Sequence, residues 1–137
     1  MKVLVTGGTG FIGSHVRDEL LRRPEMADGQ VLRMTRDPKG KRDEDARATF
    51  VRGDVRDAAS LYAAVEGVDA VVHCVQFPNH PVQNPSKGYT YMEIDAKGTE
   101  RVVAASIKAG VRRIVYVSGA GSSASGRVAI FMNQAGW

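Results

Sequence analysis

The sequence predicts a doubly wound α/β domain, a parallel sheet of order 3-2-1-4-5 with helices on both faces. Three observations predict it. Short, nearly continuous apolar runs recur along the chain, amphipathic helical patterns separate them, and the first run ends in a glycine-rich turn that opens a helix. Strands that alternate with helices require right-handed crossovers and hence parallel pairing, and continuous apolar runs suit strands covered on both faces. The order 3-2-1-4-5 is the simplest such winding.

Taken in order, Lys2-Val3-Leu4-Val5-Thr6 is the first run, ended by glycines. Ile12, Val16 and Leu20 then recur every four residues on one helical face, Arg17, Asp18, Arg22 and Arg23 occupy the others, and Pro24 stops the helix. The second and third strands are expected at Val31 to Thr35 and Thr49 to Arg52. The stretch from Asp37 to Ala48 between them mixes Asp37, Asp43, Glu44 and Asp45 with its cations, the composition of a solvated, mobile loop rather than a nucleic-acid patch. Ala58, Leu61 and Val65 mark a shorter helix with Asp57 as its N-cap and Gly67 at its close. The fourth strand is Ala70 to Cys74. Directly after it comes an irregular stretch, Gln76 to Gly88, with Pro78, Pro81 and Pro85, where an open sheet of this class places its ligand crevice. The longest helix is expected from about Tyr89 to Ala109, with Tyr91, Ile94, Gly98, Val102, Ala105 and Ala109 on a face small enough to lie close to the sheet. Arg113 to Ser118 completes the set as the fifth strand.

Bulk properties bound the function. The chain has 137 residues, 43% of them hydrophobic, enough for one domain with one real core. The net charge of +4 suits an anionic ligand, but 19 basic residues are interspersed with 15 acidic ones, so no nucleic-acid partner is expected. A single cysteine, Cys74, excludes an internal disulfide, and His15, His73 and His80 form no metal-ligand spacing. With no apolar stretch of roughly 18 residues and no secretory signal, the expectation is a cytoplasmic protein without membrane insertion.

The glycine-rich turn carries the chemistry. Gly7, Gly10 and Gly13 form a GxxGxxG pattern between a strand and a helix, the context of a Rossmann-type dinucleotide site. Gly7 allows a sharp turn, Gly10 lets the backbone approach a diphosphate, and Gly13 lets the helix lie near the strand. The helix N-terminus then offers N–H groups and partial positive charge to the anion. After the second strand, a NAD site usually presents an acidic residue to the ribose hydroxyls, whereas this chain reads Thr35-Arg36-Asp37-Pro38. Arg36 suits a 2′-phosphate and Thr35 a further hydrogen bond, which favours NADP over NAD. Arg36 as merely the first cation of a charged loop, with Asp37 serving NAD, is the alternative. Likewise His73, in an apolar run, reads as a packed core histidine, Asp54 as the cap of a turn, and Cys74 as a small buried hydrophobe.

Five segments together resemble the extended and atypical short-chain dehydrogenase/reductases. They are Thr6-Gly7-Gly8-Thr9-Gly10-Phe11-Ile12-Gly13, Arg52-Gly53-Asp54-Val55-Arg56-Asp57, Ala70-Val71-Val72-His73-Cys74, Asp95-Ala96-Lys97-Gly98-Thr99 and Arg113-Ile114-Val115-Tyr116-Val117-Ser118. Within that group the chain is similar to NmrA-like and epimerase-like members, including relatives of a respiratory complex I accessory subunit. The resemblance implies that Gly7, Thr9, Gly10, Phe11, Ile12 and Gly13 surround the pyrophosphate. It implies that Asp54 accepts from the adenine amino group, Val55 packs on the ring, and Cys74, Val75 and Gln76 line the ribose and pyrophosphate. Asp95 would stand where many relatives carry an asparagine that steadies the helix expected from Tyr89, and Ser118 near the nicotinamide, as the one candidate catalytic residue.

The pattern breaks in the catalytic pair. Active relatives carry Tyr-x-x-x-Lys after the fifth strand, a tyrosine that moves the proton and a lysine that lowers its pKa. Tyr62, Tyr89, Tyr91 and Tyr116 are followed four residues on by Glu66, Glu93, Asp95 and Ala120, and Phe131-Met132-Asn133-Gln134 replaces the expected context. The expectation is one NAD(P)-binding domain over 1–137, truncated after the fifth strand, with the C-terminal substrate-binding part missing and an exposed sheet edge that favours homo-oligomers. Two functions remain open: the cofactor part of a reductase or epimerase-like oxidoreductase acting on a small molecule, or a noncatalytic dinucleotide-binding redox sensor or assembly subunit.

Overall fold

In the computed structural model, which describes residues 1–77 and 82–118, the alternation of apolar runs and amphipathic stretches folds as one sheet with helices on both faces. Strands β1 (Lys2–Thr6), β2 (Gln30–Thr35), β3 (Ala48–Arg52), β4 (Ala70–His73) and β5 (Arg113–Tyr116) lie in the order β3-β2-β1-β4-β5, every neighbouring pair parallel. This is the predicted winding, with ends shifted by one or two residues. Successive side chains of β1 point to opposite faces, and the two cores follow from that alternation. Val3 and Val5 pack with Val31, Ala48 and Met26 against Val16, Leu20 and Leu21 of helix α1 (Phe11–Arg22). Leu4 packs on the other face with Val71, Leu61 and Val65, around helix α2 (Ala58–Ala64), and with Val102 and Ala105 of helix α3 (Lys97–Lys108).

The helix ends follow local chemistry. Asp57 caps α2 by accepting from Ala59 N and Ser60 N, as its position predicted. Past α1, Pro24 begins a separate short turn whose Met26 fills the core. The expected helix from Tyr89 to Ala109 is not one element. Tyr89 exchanges backbone hydrogen bonds with Asn84, and the Thr90 hydroxyl accepts from Glu93 N, so helical structure begins only beyond Tyr89. A π-helical turn (Met92–Ala96) then buries Ile94 and Asp95 side by side before α3 continues.

The charged stretch after β2 corrects a second expectation. It is not simply solvated, because the Asp43 side chain is 1% exposed and pairs with Arg17 of α1 and Arg33 of β2. Arg33 occupies a strand position facing α1, and a guanidinium in that setting requires a counter-ion, which the loop supplies. Pro78, His80 and Pro81, and everything from Gly119 onward, including Ser122, Ser123, Ser125 and Phe131 to Gln134, lie outside the described residues.

Candidate functional site

The order of the strands reverses between β1 and β4, and an open cleft of about 280 Å³ lies there, beyond the C-terminal ends of β1 to β4. The turn after β1 forms its floor. Gly7 has φ +65°, a conformation that favours glycine, and its carbonyl accepts from Gly10 N at 2.9 Å. A Cβ at Gly13 would stand 2.2 Å from the Gly7 carbonyl oxygen, so only glycine lets α1 pack against the turn. A Cβ at Gly10, which lines the cleft, would stand 3.3 Å from the Gly7 carbonyl oxygen, its one near neighbour. Gly10 is the N-cap of α1, with no side-chain cap and no acidic residue in the first turn. That helix end therefore presents N–H groups and positive potential toward an anion.

Most of the residues expected at the site converge here. Gly7, Thr9 and Gly10 line the cleft with Thr35 and Arg36 from the end of β2, Asp54 and Val55 after β3, and Cys74, Val75 and Gln76 after β4. Gly13 is buried behind the turn. Phe11 and Ile12 are exposed on α1 and face a separate, shallow apolar surface with His15, Val16 and Leu20. Ser118 is exposed two residues past β5 and is not among the cleft residues.

Met34, Gly53, Arg56, Tyr89 and Ile94 also line the cleft, although the sequence did not single them out for it. The available signal for Arg56 was Asp54 two residues before it, a spacing at which an Asp side chain accepts from the backbone N–H. Asp54 accepts from Arg56 N, Nε and Nη2 at 2.9, 3.2 and 2.8 Å. Burial alone would raise the Asp54 pKa, but the Arg56 hydrogen bonds and charge together hold it below the usual carboxylate range. Asp54 thus shapes its own turn as well as facing the cleft. Tyr89 carried no local signal. Its ring lies 4.7 Å from the Arg56 guanidinium, and its hydroxyl accepts from Arg36 Nη1 at 2.8 Å. Asp37, the rival partner for a ribose, is exposed and accepts from Lys39 N.

Behind the cleft, His73 is fully buried and organises a polar series. Thr99 Oγ1 donates to the Asp95 carbonyl at 2.5 Å and so accepts from His73 Nε2–H at 3.0 Å. His73 Nδ1 then accepts from Thr6 Oγ1 at 2.5 Å, and Thr6 Oγ1 accepts from Cys74 N at 3.1 Å. Both imidazole nitrogens are satisfied in the neutral ring, and burial lowers the His73 pKa to about 4. His73 is therefore the packed core histidine that its apolar run predicted. The series links the end of β1, the end of β4 and the start of α3. Asp95, also buried, accepts from Phe77 N and holds the chain leaving β4. The Cys74 side chain is half-buried at the cleft wall, and burial raises its thiol pKa.

Among the described residues, no three histidine, cysteine or carboxylate side chains gather as a metal site, and no helix is long and apolar enough to cross a membrane.

Comparison with known proteins agrees with this geometry. A family described as the NAD dependent epimerase/dehydratase family matches residues 3–130. The chain is 34% identical over 118 residues to the human (Homo sapiens) 3 beta-hydroxysteroid dehydrogenase type 7, covering 84% of this chain and 31% of that one. It is 32% identical over 131 residues to a UDP-glucose 4-epimerase of Klebsiella pneumoniae, covering 88% and 90%. A dTDP-glucose 4,6-dehydratase from Streptomyces venezuelae, solved with NAD bound, superposes with a TM-score of 0.70 at 35% identity, over 89% of this chain and 40% of that one. Apart from the Klebsiella protein, the chain spans about a third of the length of the first curated relatives that it matches.

Proposed function

The chain belongs to the NAD-dependent epimerase/dehydratase family, and from that premise we propose that it is the dinucleotide-binding domain of a reductase or nucleotide-sugar-epimerase-like oxidoreductase. The observation that carries this reading is the uncapped α1 N-terminus, where Gly10 lines a cleft that Arg36 and Asp54 line as well. The cradle fits a dinucleotide, since Gly7 and Gly10 line it without side chains beside the α1 N-terminus and Arg36 lines it too. Gly7, Thr9, Gly10, Phe11, Ile12 and Gly13 would hold the pyrophosphate, directly or by shaping the turn. Asp54 and Val55 would hold the adenine, with Cys74, Val75 and Gln76 along the ribose and pyrophosphate and Ser118 toward the nicotinamide. When bound, the nicotinamide supplies hydride exchange with a carbonyl or an alcohol of a small-molecule substrate.

The preferred cofactor in this reading is NADP rather than NAD. Arg36 is exposed at the cleft, hydrogen-bonded to a phenol rather than a carboxylate, and so has a cation to offer a 2′-phosphate. Asp37, by contrast, caps its own turn. A cytoplasmic location and a homo-oligomer belong to the same proposal.

A second reading is a noncatalytic dinucleotide-binding sensor or assembly subunit. Titration with NADP, NADPH, NAD and NADH tests both readings, and no binding at millimolar concentration refutes both. Arg36→Ala should cost NADP about 1.5 to 3 kcal/mol and NAD little, the scale of a charged hydrogen bond. Equal losses would refute the NADP preference. Turnover of aldehydes, ketones or nucleotide sugars separates an enzyme from a sensor.

A further inference from the structure

The glycine-rich turn is gripped from behind by a charge cluster that its motif does not require. Arg33 Nε and Nη2 donate to the Gly8 carbonyl at 2.9 and 2.7 Å, and Nη2 reaches Ser14 Oγ in the first turn of α1 at 3.1 Å. Its Nη1 donates to Asp43 Oδ2 at 2.7 Å, and its guanidinium lies 4.6 Å from the Phe50 ring centroid. Asp43 also accepts from Arg17 of α1. The backbone leaves little slack at this point, since a Cβ on Gly8 would stand 2.9 Å from Arg33 Cα. Two guanidinium groups with like charge thus converge on one buried carboxylate, and one of them holds the turn.

The geometry points to Asp43 as a positioning residue for dinucleotide binding, acting through Arg33 on the Gly8 carbonyl so that the turn and the α1 N-terminus are set before the ligand arrives. Without the carboxylate, Arg17 and Arg33 repel one another, and Arg33 loses the contact that orients its fork toward Gly8. The pairing also divides labour between neighbouring arginines. Arg33 is committed to Asp43 and the turn, which leaves Arg36, three residues along β2's exit, to face the cleft.

The sign of the effect distinguishes positioning from bulk electrostatics. Asp43→Asn removes a negative charge, which by itself would strengthen binding of an anionic ligand. Positioning predicts the opposite: the Kd for NADP and NAD, measured in the cold with each variant folded by circular dichroism, rises at least about fivefold. Arg33→Lys keeps the charge but lacks the fork and should lose as much. The double variant should be no worse than the weaker-binding single one, because both act on one contact. Asp43→Glu, which restores the charge, should recover part of the affinity. Tighter or unchanged binding by Asp43→Asn overturns the inference, as does unchanged binding by Arg33→Lys should Asp43→Asn not fold. Additive losses in the double variant overturn the route through Arg33. A wild-type chain that binds neither dinucleotide overturns this inference and the proposed function together, whereas wild-type binding matched by the variants overturns this inference alone.

Discussion

Replacing Gly13 and Gly10 by alanine, one at a time, separates the two tasks of the glycine-rich turn. At Gly13 the new methyl would stand 2.2 Å from the Gly7 oxygen, 2.8 Å from its carbonyl carbon and 2.9 Å from Gly8 Cα. All three are backbone atoms, so no side-chain rotation relieves the contact, and α1 must retreat by about 1 Å from β1 and β2. Overpacking of this kind costs roughly 1 to 3 kcal/mol, and backbone neighbours on two sides put Gly13→Ala at the upper end. Alanine's better helix propensity returns about 1 kcal/mol, leaving a net loss of about 2 kcal/mol. For a domain of this size that lowers Tm by about 6 to 10 °C. At Gly10 the nearest atom is 3.3 Å away, and the backbone, at φ −81° and ψ 172°, suits any residue. Gly10→Ala should shift Tm by less than about 3 °C, the loss of a glycine N-cap, while weakening dinucleotide binding about tenfold or more by adding a methyl group to a residue that lines the cleft. Thermal denaturation followed by circular dichroism, with NADP and NAD titrations of the same samples, reads both quantities. A Gly13→Ala chain as stable as its parent refutes the packing argument. A Gly10→Ala chain that binds as before refutes the placement of the ligand.

Two further outcomes follow from the interior. His73 has a native pKa of about 4 against an ordinary 6.5, so the unfolded chain binds more protons between those values. Its contribution is fully present above pH 6.5 and is lost as pH falls toward 4, about 3 kcal/mol in all. Urea midpoints at pH 7, 5.5 and 4.5 should therefore decline, and His73→Gln should flatten that slope while lowering stability at pH 7. A midpoint independent of pH above 5 would show that native His73 protonates freely. Asp57→Ala should cost about 1 kcal/mol in urea unfolding by leaving Ala59 N and Ser60 N without their acceptor. No measurable loss would mean that water replaces the cap.

The fold was legible because its signals are local. Five apolar runs, the Asp57 cap and the glycine-rich turn each state their conformation within a few residues, and alternation of strands with helices leaves few windings to choose among. The boundary near Tyr89 was not legible. Periodicity at Tyr91, Ile94 and Gly98 continues smoothly, whereas the break depends on a pairing with Asn84 across an intervening turn. Much of the cleft could be assigned because its residues follow directly on strand ends. Tyr89 could not, since it reaches Arg36 and Arg56 only through the chain's return after β4. Asp43 was hidden for a related reason: within its own segment it is one charge among many, and its partners, Arg17 of α1 and Arg33 of β2, lie outside that segment.

The hydrogen bonds from Cys74 N through Thr6, His73 and Thr99 to the Asp95 carbonyl run one way, each group donating to the next. Such a series tolerates only one alignment of β4 against β1, the one that sets Thr6 opposite His73. A slip by one residue turns the imidazole to the other face of the sheet and takes it from both Thr6 and Thr99, two lost hydrogen bonds at about 1 to 3 kcal/mol each. Apolar valines on both strands would accept that slip far more readily. The polar series thus serves as a proofreading mark in the sheet, rejecting near-miss pairings at the seam where the two halves of the fold join and the cleft opens.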